Sequence, residues 1–274
     1  MKSVVIVLVL SVAGLTACSQ DRPAPAPTST VASATPSADS TLSVTPSPSP
    51  NATPTQSPTP TPGGCANEAA IASAPNLLRP GSLRGDVDGD GKPDTVRIAL
   101  DPSGANGCRA FVVVRLARGS ILTAPIPQWE PTPVLPAPHL NSLARIDSVP
   151  GDEVVIDVAA GASTQFEGVY TYSAPGLAPV TATGTPFDGL FAYGGSVGHL
   201  DGEACTPRGS IVISGATERG VSPVRYKVVR RFFRPGAGVL IYRPSRTQRK
   251  VLRLRTLQRL PEFSGAPFAG CPSS

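Results

Sequence analysis

The chain is poor in the groups that make soft metal sites and membrane spans. Two histidines, His139 and His199, and five cysteines with no CxxC spacing argue against a zinc centre. The longest apolar run, residues 4–15, is too short to cross a bilayer as a helix. Strand patterns never alternate with helical ones, which excludes a doubly wound α/β fold and the strand-turn-helix frame an α/β-hydrolase needs. Aromatic residues are only 5 % of the chain, and those in its basic region, Phe232 and Phe233, read as core. With an export leader in front, that argues against a nucleic-acid partner.

What is present begins with that leader. Lys2 precedes the apolar run, and Leu15-Thr-Ala-Cys18 closes it with small residues and a cysteine. The tetrapeptide resembles the lipobox of bacterial lipoproteins. The resemblance implies that residues 1–17 are removed and that Cys18 carries diacylglycerol as the new N-terminus. The mature protein would then sit outside the cytoplasm, anchored to the cell membrane by acyl chains and not by a spanning helix.

Residues 18–64 carry eleven prolines between Pro23 and Pro62, amid Ser, Thr and Ala, with almost no charge. Such a segment has too little apolar surface to offset its ordering entropy and is expected to be a disordered stalk. At 3.1 Å per residue in polyproline II it reaches roughly 140 Å when fully stretched. Its Thr-Pro repeats suit O-linked glycans.

The folded part is expected over residues 65–274, one domain with a sizeable core. It carries the whole net charge of +5. Its four cysteines, Cys65, Cys108, Cys205 and Cys271, allow three pairings in an oxidising compartment. The expected pairing is Cys65 with Cys108, pinning the N-terminal segment, and Cys205 with Cys271, pinning the C-terminal tail.

The most informative stretch is Asp86-Val-Asp-Gly-Asp-Gly-Lys-Pro-Asp94, which leads into the alternating run at residues 95–100. Asp86, Asp88, Asp90 and Asp94 offer hard oxygen ligands, Gly91 a sharp turn and Lys92 a backbone carbonyl, a set suited to one structural Ca²⁺. The twelfth position is Arg97, not the bidentate Glu of an EF-hand, and a strand follows instead of a helix. The pattern resembles the FG-GAP or VCBS type of repeat, in which an Asp-rich loop feeds a strand. That resemblance covers residues 85–100 and implies adhesion or ligand recognition, as for some members.

Weaker echoes appear at residues 145–158, with Asp147, Asp152 and Glu153, and at 198–214, with Asp201 and Glu203. Each of the three units reads as an acidic loop feeding a two-stranded ribbon, and only the first keeps its ligands. The expected fold is therefore all-β, three loose repeats in a small propeller-like arrangement, with a β-sandwich as the alternative.

Two further features frame the function. Residues 225–259 hold twelve basic and no acidic residues, either solvated strand faces or a positive face for an anionic envelope polymer or lipid headgroups. Gly194-Gly-Ser-Val-Gly198 matches G-x-S-x-G, but no helix follows, so Ser196 reads as part of a Gly-rich turn and not as a nucleophile. Trp129, beside Glu130 and several prolines, reads as a plug under a loop or a small ligand contact. The function expected is binding or scaffolding in the cell envelope by a monomeric, lipid-anchored β domain, with an anionic polymer or a protein as ligand. An envelope hydrolase without identifiable catalytic residues is the alternative.

Overall fold

The structure is a computed structural model that describes residues 65–273 apart from Ala72, Pro175, residues 185–188, Val197, Val221 and Ser222. Cys18, the leader and the stalk lie outside the described residues.

Strand propensity and burial coincide along most of the domain. After a one-turn helix α1 (Glu68–Ile71), a first sheet forms in the antiparallel order β1 (Leu83–Gly85), β2 (Asp94–Leu100), β3 (Ala110–Arg115), β4 (Ile121–Pro125). β3 is its central strand and is apolar at five consecutive positions because both of its faces are covered. Val112 and Val114 point to one hydrophobic cluster. Phe111 and Val113 point to the other side, where Ile71 of α1 and Cys65 cover them. The Cys65–Cys108 disulfide ties that cover to the sheet.

The second sheet comprises β5 (His139–Ala144), β6 (Glu153–Ala160), β7 (Thr164–Ser173), β8 (Gly176–Pro179), β9 (Thr181–Ala182), β10 (Phe191–Ser196), β11 (His199–Cys205), β12 (Ile211–Arg219), β13 (Arg225–Gly236), β14 (Val239–Tyr242) and β15 (Gln248–Arg253). Its main order is β5-β6-β7-β10-β11-β12-β13-β14-β9, with β8 on β7 and β15 on β13. β6 is a wall shared by two cores. Val154, Ile156 and Val158 join the first sheet's Val96, Ile98, Val112 and Val114, while Val155 faces Val169, Phe191, Ile211, Phe233 and Leu240. Strands from both ends of one sheet meet in that second cluster, so the sheet is curled around it. The segment through β8 and β9 bridges the curl: Tyr170 pairs with Pro179, and Thr181 pairs with Val239 two residues later.

The C-terminal tail completes both sides of the curled sheet. Phe268, held at φ 46, stacks edge-on against Phe191 at 5.1 Å between ring centres. A non-glycine residue in that region is strained, and here burial holds it there. The Cys205–Cys271 disulfide fixes the same tail. Helix α2 (Leu254–Leu257) and the turn at Pro261–Phe263 lay Leu257 and Phe263 over Tyr226 and Val228 on the sheet's other face.

The all-β class is as expected from sequence. Among the described residues neither sheet closes on itself and no ring of blades forms, so the fold gives no support to a propeller. The two sheets share the first core. The third acidic loop expected at residues 198–205 is a strand, β11, paired along its whole length with β12. Its Gly202 lies so close to the Glu262 carbonyl that a side chain there would collide with it, and Glu203 is wholly buried. The Gly and acidic residues that suggested a turn serve close packing and a buried polar layer.

Candidate metal centre and a buried acidic interior

Residues 86–93 form the connection between antiparallel β1 and β2, and the loop is wound around its own carboxylates. Asp94 opens β2 and is 1 % exposed. Its Oδ2 accepts the N–H groups of Val87 at 2.8 Å and Asp88 at 3.3 Å, and its Oδ1 accepts that of Ala117 at 2.8 Å. Asp86 Oδ2 accepts the Gly91 N–H at 3.0 Å. Asp88 Oδ1 accepts that of Asp90 at 3.3 Å. Gly89 and Gly91 sit at φ 74 and 81, left-handed conformations that let the chain reverse twice inside eight residues.

As a result Asp86, Asp88 and Asp94 each bring one carboxylate oxygen within 4.8 Å of the others, an arrangement able to hold a metal ion. An ionised carboxylate has more lone pairs than these N–H groups use, so ligand capacity remains. The oxygen-only donor set fits a hard divalent cation. Asp88 carries the clearest demand for one. Its side chain is 2 % exposed, its Oδ2 receives no hydrogen bond, and its close cation is Arg118 Nη1 at 3.1 Å. Burial first, then the Asp94 charge, push its carboxyl above the ordinary range. The Asp90 carboxylate is not part of that cluster. Asp90 and Lys92 are both exposed, and Asp90 Oδ1 accepts the Lys92 N–H at 2.8 Å.

The second loop repeats this architecture 59 positions later with different chemistry. Glu153 Oε2 accepts the N–H groups of Ile146 and Asp147 as Asp94 Oδ2 accepts those of Val87 and Asp88. Asp147 Oδ1 accepts the Val149 N–H as Asp88 Oδ1 accepts that of Asp90. At the position of Asp86 stands Arg145, whose Nε lies 3.4 Å from Asp152 Oδ1. A guanidinium thus stands where the first loop has a carboxylate, so the second loop lacks one of the three acidic ligands. Asp147 Oδ2 turns outward to accept the Gly238 N–H at 2.8 Å.

The two loops are docked on one another. The Asp152 N–H donates to the Asp86 carbonyl at 2.7 Å. A Cβ on Gly151 would lie 2.3 Å from the Val87 carbonyl oxygen, and one on Gly89 would lie 2.8 Å from Pro150.

A second polar constellation was not legible as a site. Asp157 on β6 lies opposite Glu167 on β7, and Glu203 on β11 is near enough for its charge to act on Glu167. Glu167 and Glu203 are both 0 % exposed, and none of their four carboxyl oxygens has a hydrogen-bond donor among the described residues. Burial pushes Glu203 up to about 8 and Glu167 well above its ordinary range, with the neighbouring Glu203 charge adding to the latter. Asp157 is also raised by burial, partly offset by the Asn141 amide at 3.0 Å and by His139 at 3.5 Å. Tyr193, whose hydroxyl accepts from the Asn141 amide at 3.1 Å, is pushed up to about 12 by burial and then by Asp157, Glu167 and Glu203. Asp157, Tyr193, His139 and Gln165 line an open cleft of about 670 Å³.

The remaining candidates resolve simply. Both disulfides pair as expected, Cys65 with Cys108 and Cys205 with Cys271. Ser196 ends β10 and pairs with His199 at the start of β11, so a strand follows the G-x-S-x-G run and no elbow exists. Trp129 is 6 % exposed and donates from Nε1 to the Leu135 carbonyl at 3.4 Å, a plug under its loop.

No protein-family model matches the chain, and neither a curated protein nor a solved structure does. What fold and site define is a two-sheet, disulfide-linked β domain with a three-carboxylate loop on one hairpin.

Proposed function

We propose that the protein is a lipid-anchored, extracytoplasmic binding or scaffolding domain of the cell envelope, stiffened by one structural Ca²⁺ in the 86–94 loop. The observation that carries the reading is the convergence of Asp86, Asp88 and Asp94 on one point, in a loop that continues directly into a strand. The resemblance of Leu15-Thr-Ala-Cys18 to a lipobox and two disulfides in one domain support the location. Extracellular calcium modules have dissociation constants on the order of 10⁻⁴ to 10⁻³ M. At about 1 mM Ca²⁺ that adds roughly 0.4 to 1.4 kcal/mol of stability, a correction to a loop already held by backbone hydrogen bonds. Calorimetric titration of residues 65–274, whose clusters and both disulfides are internal to that range, tests it. About one equivalent should bind, Asp88→Ala should bind none, and Asp90→Ala should retain binding. No heat and no melting shift would reduce the loop to a turn.

The alternative, an envelope hydrolase, gains one specific support: a carboxyl raised by burial, Asp157, stands in a cleft beside His139 and Tyr193. Hydrolysis of envelope glycan or ester substrates that Asp157→Asn abolishes would favour that reading over scaffolding.

A further inference from the structure

The end of the curled sheet formed by β12, β13 and β15 carries cations in a pattern that demands an anionic partner. In register, Arg219 of β12 lies opposite Arg225 of β13, and Arg225 lies opposite Arg253 of β15. Three guanidiniums thus form one cross-strand row, and like charges directly opposite each other destabilise a sheet. Lys227, two residues along from Arg225, and Arg249, opposite Val229, extend the row on the same face. These five side chains belong to exposed or half-buried positions, and none of them pairs with a carboxylate among the described residues. The nearest carboxylate on that face by register, Asp201, is engaged by His199 Nε2 at 2.8 Å. Glu218 pairs with Tyr226 and so belongs to the opposite face.

That opposite face is packed. Tyr226, Val228 and Ala216 are buried there under Leu257 and Leu260. The cationic face has no such cover, and it is not purely polar. Four large hydrophobic residues are exposed among the described residues, and one of them, Val251, at 45 %, stands on this face. Val251 lies directly opposite Lys227. An open hollow of about 480 Å³ lies between Arg219, Pro223, Arg225 and Val251.

We propose that this face docks on an anionic lipid bilayer, with the arginine row against headgroup phosphates and Val251 at the acyl boundary. A hydrophilic polyanion would satisfy the charges, but it would give no role to Val251, an apolar side chain exposed in the middle of the cationic row. Interfacial binding uses both, since apolar burial and attraction to anionic lipid add. The inference does not depend on the calcium loop or on lipidation of Cys18. An acylated stalk would only raise the local concentration of bilayer seen by a face that binds by itself.

Residues 65–274 without the acylated segment are mixed with vesicles of phosphatidylglycerol and phosphatidylcholine, or of phosphatidylcholine alone, and bound protein is measured by sedimentation over a salt series. Binding is expected to the anionic vesicles only. Each cation near an anionic surface contributes about fivefold in affinity, so the double variant Arg225→Gln, Arg253→Gln should bind about 25-fold more weakly. Val251→Ser should weaken binding several-fold at every salt concentration. Arg84→Gln with Arg208→Gln, which removes the same net charge elsewhere, should leave binding unchanged. Melting curves report whether each variant is folded. No binding at low salt, or equal loss in the control pair, overturns the proposal. So does full competition by soluble inorganic polyphosphate combined with no effect of Val251→Ser, which would identify a polyanion site instead.

Discussion

Substituting Glu203 by Gln tests the buried acidic interior directly. Glu203 is wholly enclosed, its carboxyl oxygens lack donors among the described residues, and its pKa rises from 4.5 to about 8 through burial. The folded state therefore keeps a proton that the unfolded chain releases above pH 4.5. A state that binds more protons than its competitor loses relative stability as pH rises, here by about 1.4 kcal/mol per pH unit for each retained proton. The stabilisation is whole below pH 4.5, declines through neutrality, and is spent once pH passes about 8. Over that window the loss is on the order of 5 kcal/mol, or roughly 10 to 20 °C in Tm for a domain of this size. Glu153, also raised to about 8 by burial, and Glu167 add slopes of the same sign, so the wild-type curve alone does not isolate Glu203. The difference between wild type and Glu203→Gln does, because glutamine fills the same space without a titrating proton. Thermal melts from pH 4 to pH 9 should show the two proteins within about 1 kcal/mol at the acid end, with the variant increasingly the more stable towards pH 8. A difference that stays flat with pH would refute the assignment of a retained proton to this residue.

Arg118 holds Asp88 at 3.1 Å and competes with any ion there, so Arg118→Gln should tighten calorimetric Ca²⁺ binding several-fold, whereas unchanged affinity would remove the guanidinium from the site. Gly151→Ala would place a methyl 2.3 Å from the Val87 carbonyl oxygen at a φ of 118 and should cost about 2 kcal/mol or more in denaturant unfolding. An unperturbed midpoint would mean the two loops are not docked. Opening either disulfide, whose cysteines are separated by 43 or 66 positions in sequence, should cost about 4 kcal/mol by the loop-entropy relation, seen as a fall in melting temperature on reduction.

Much of this architecture was legible because alternation and burial agree. In β2, Val96 and Ile98 face the core while Arg97 faces solvent, and the reading of residues 95–100 as a strand follows from that pattern alone. β6 and β7 are buried at five or more consecutive positions, so they were legible as short apolar, β-branched runs and not from alternation. β11 was misread because Asp-Gly-Glu has the composition of a turn; its strand conformation is set by seven cross-strand partners from β12, which no local propensity encodes. The site divides likewise. Carboxylate spacing exposed Asp86, Asp88 and Asp94, but whether Asp90 turns inward depends on the loop's hydrogen bonds. Glu167 carried a faint signal, a lone acid between Phe166 and Val169 in an apolar strand. Its meeting with Glu203 links residues 36 apart in sequence and emerges only when β10 lies between β7 and β11.

The two cores that share β6 have different schedules. Every fully buried member of the first, from Val87 to Tyr170, has left the ribosome about 100 residues before Phe268, which the second core requires. A chain delivered from its N-terminus therefore finishes its first layer while β6 still shows Val155 to water, and domains emerging this way are exposed to misassembly until the missing part arrives. Closure of the Cys205–Cys271 bridge then acts as a timestamp, marking molecules whose last segment has found its place.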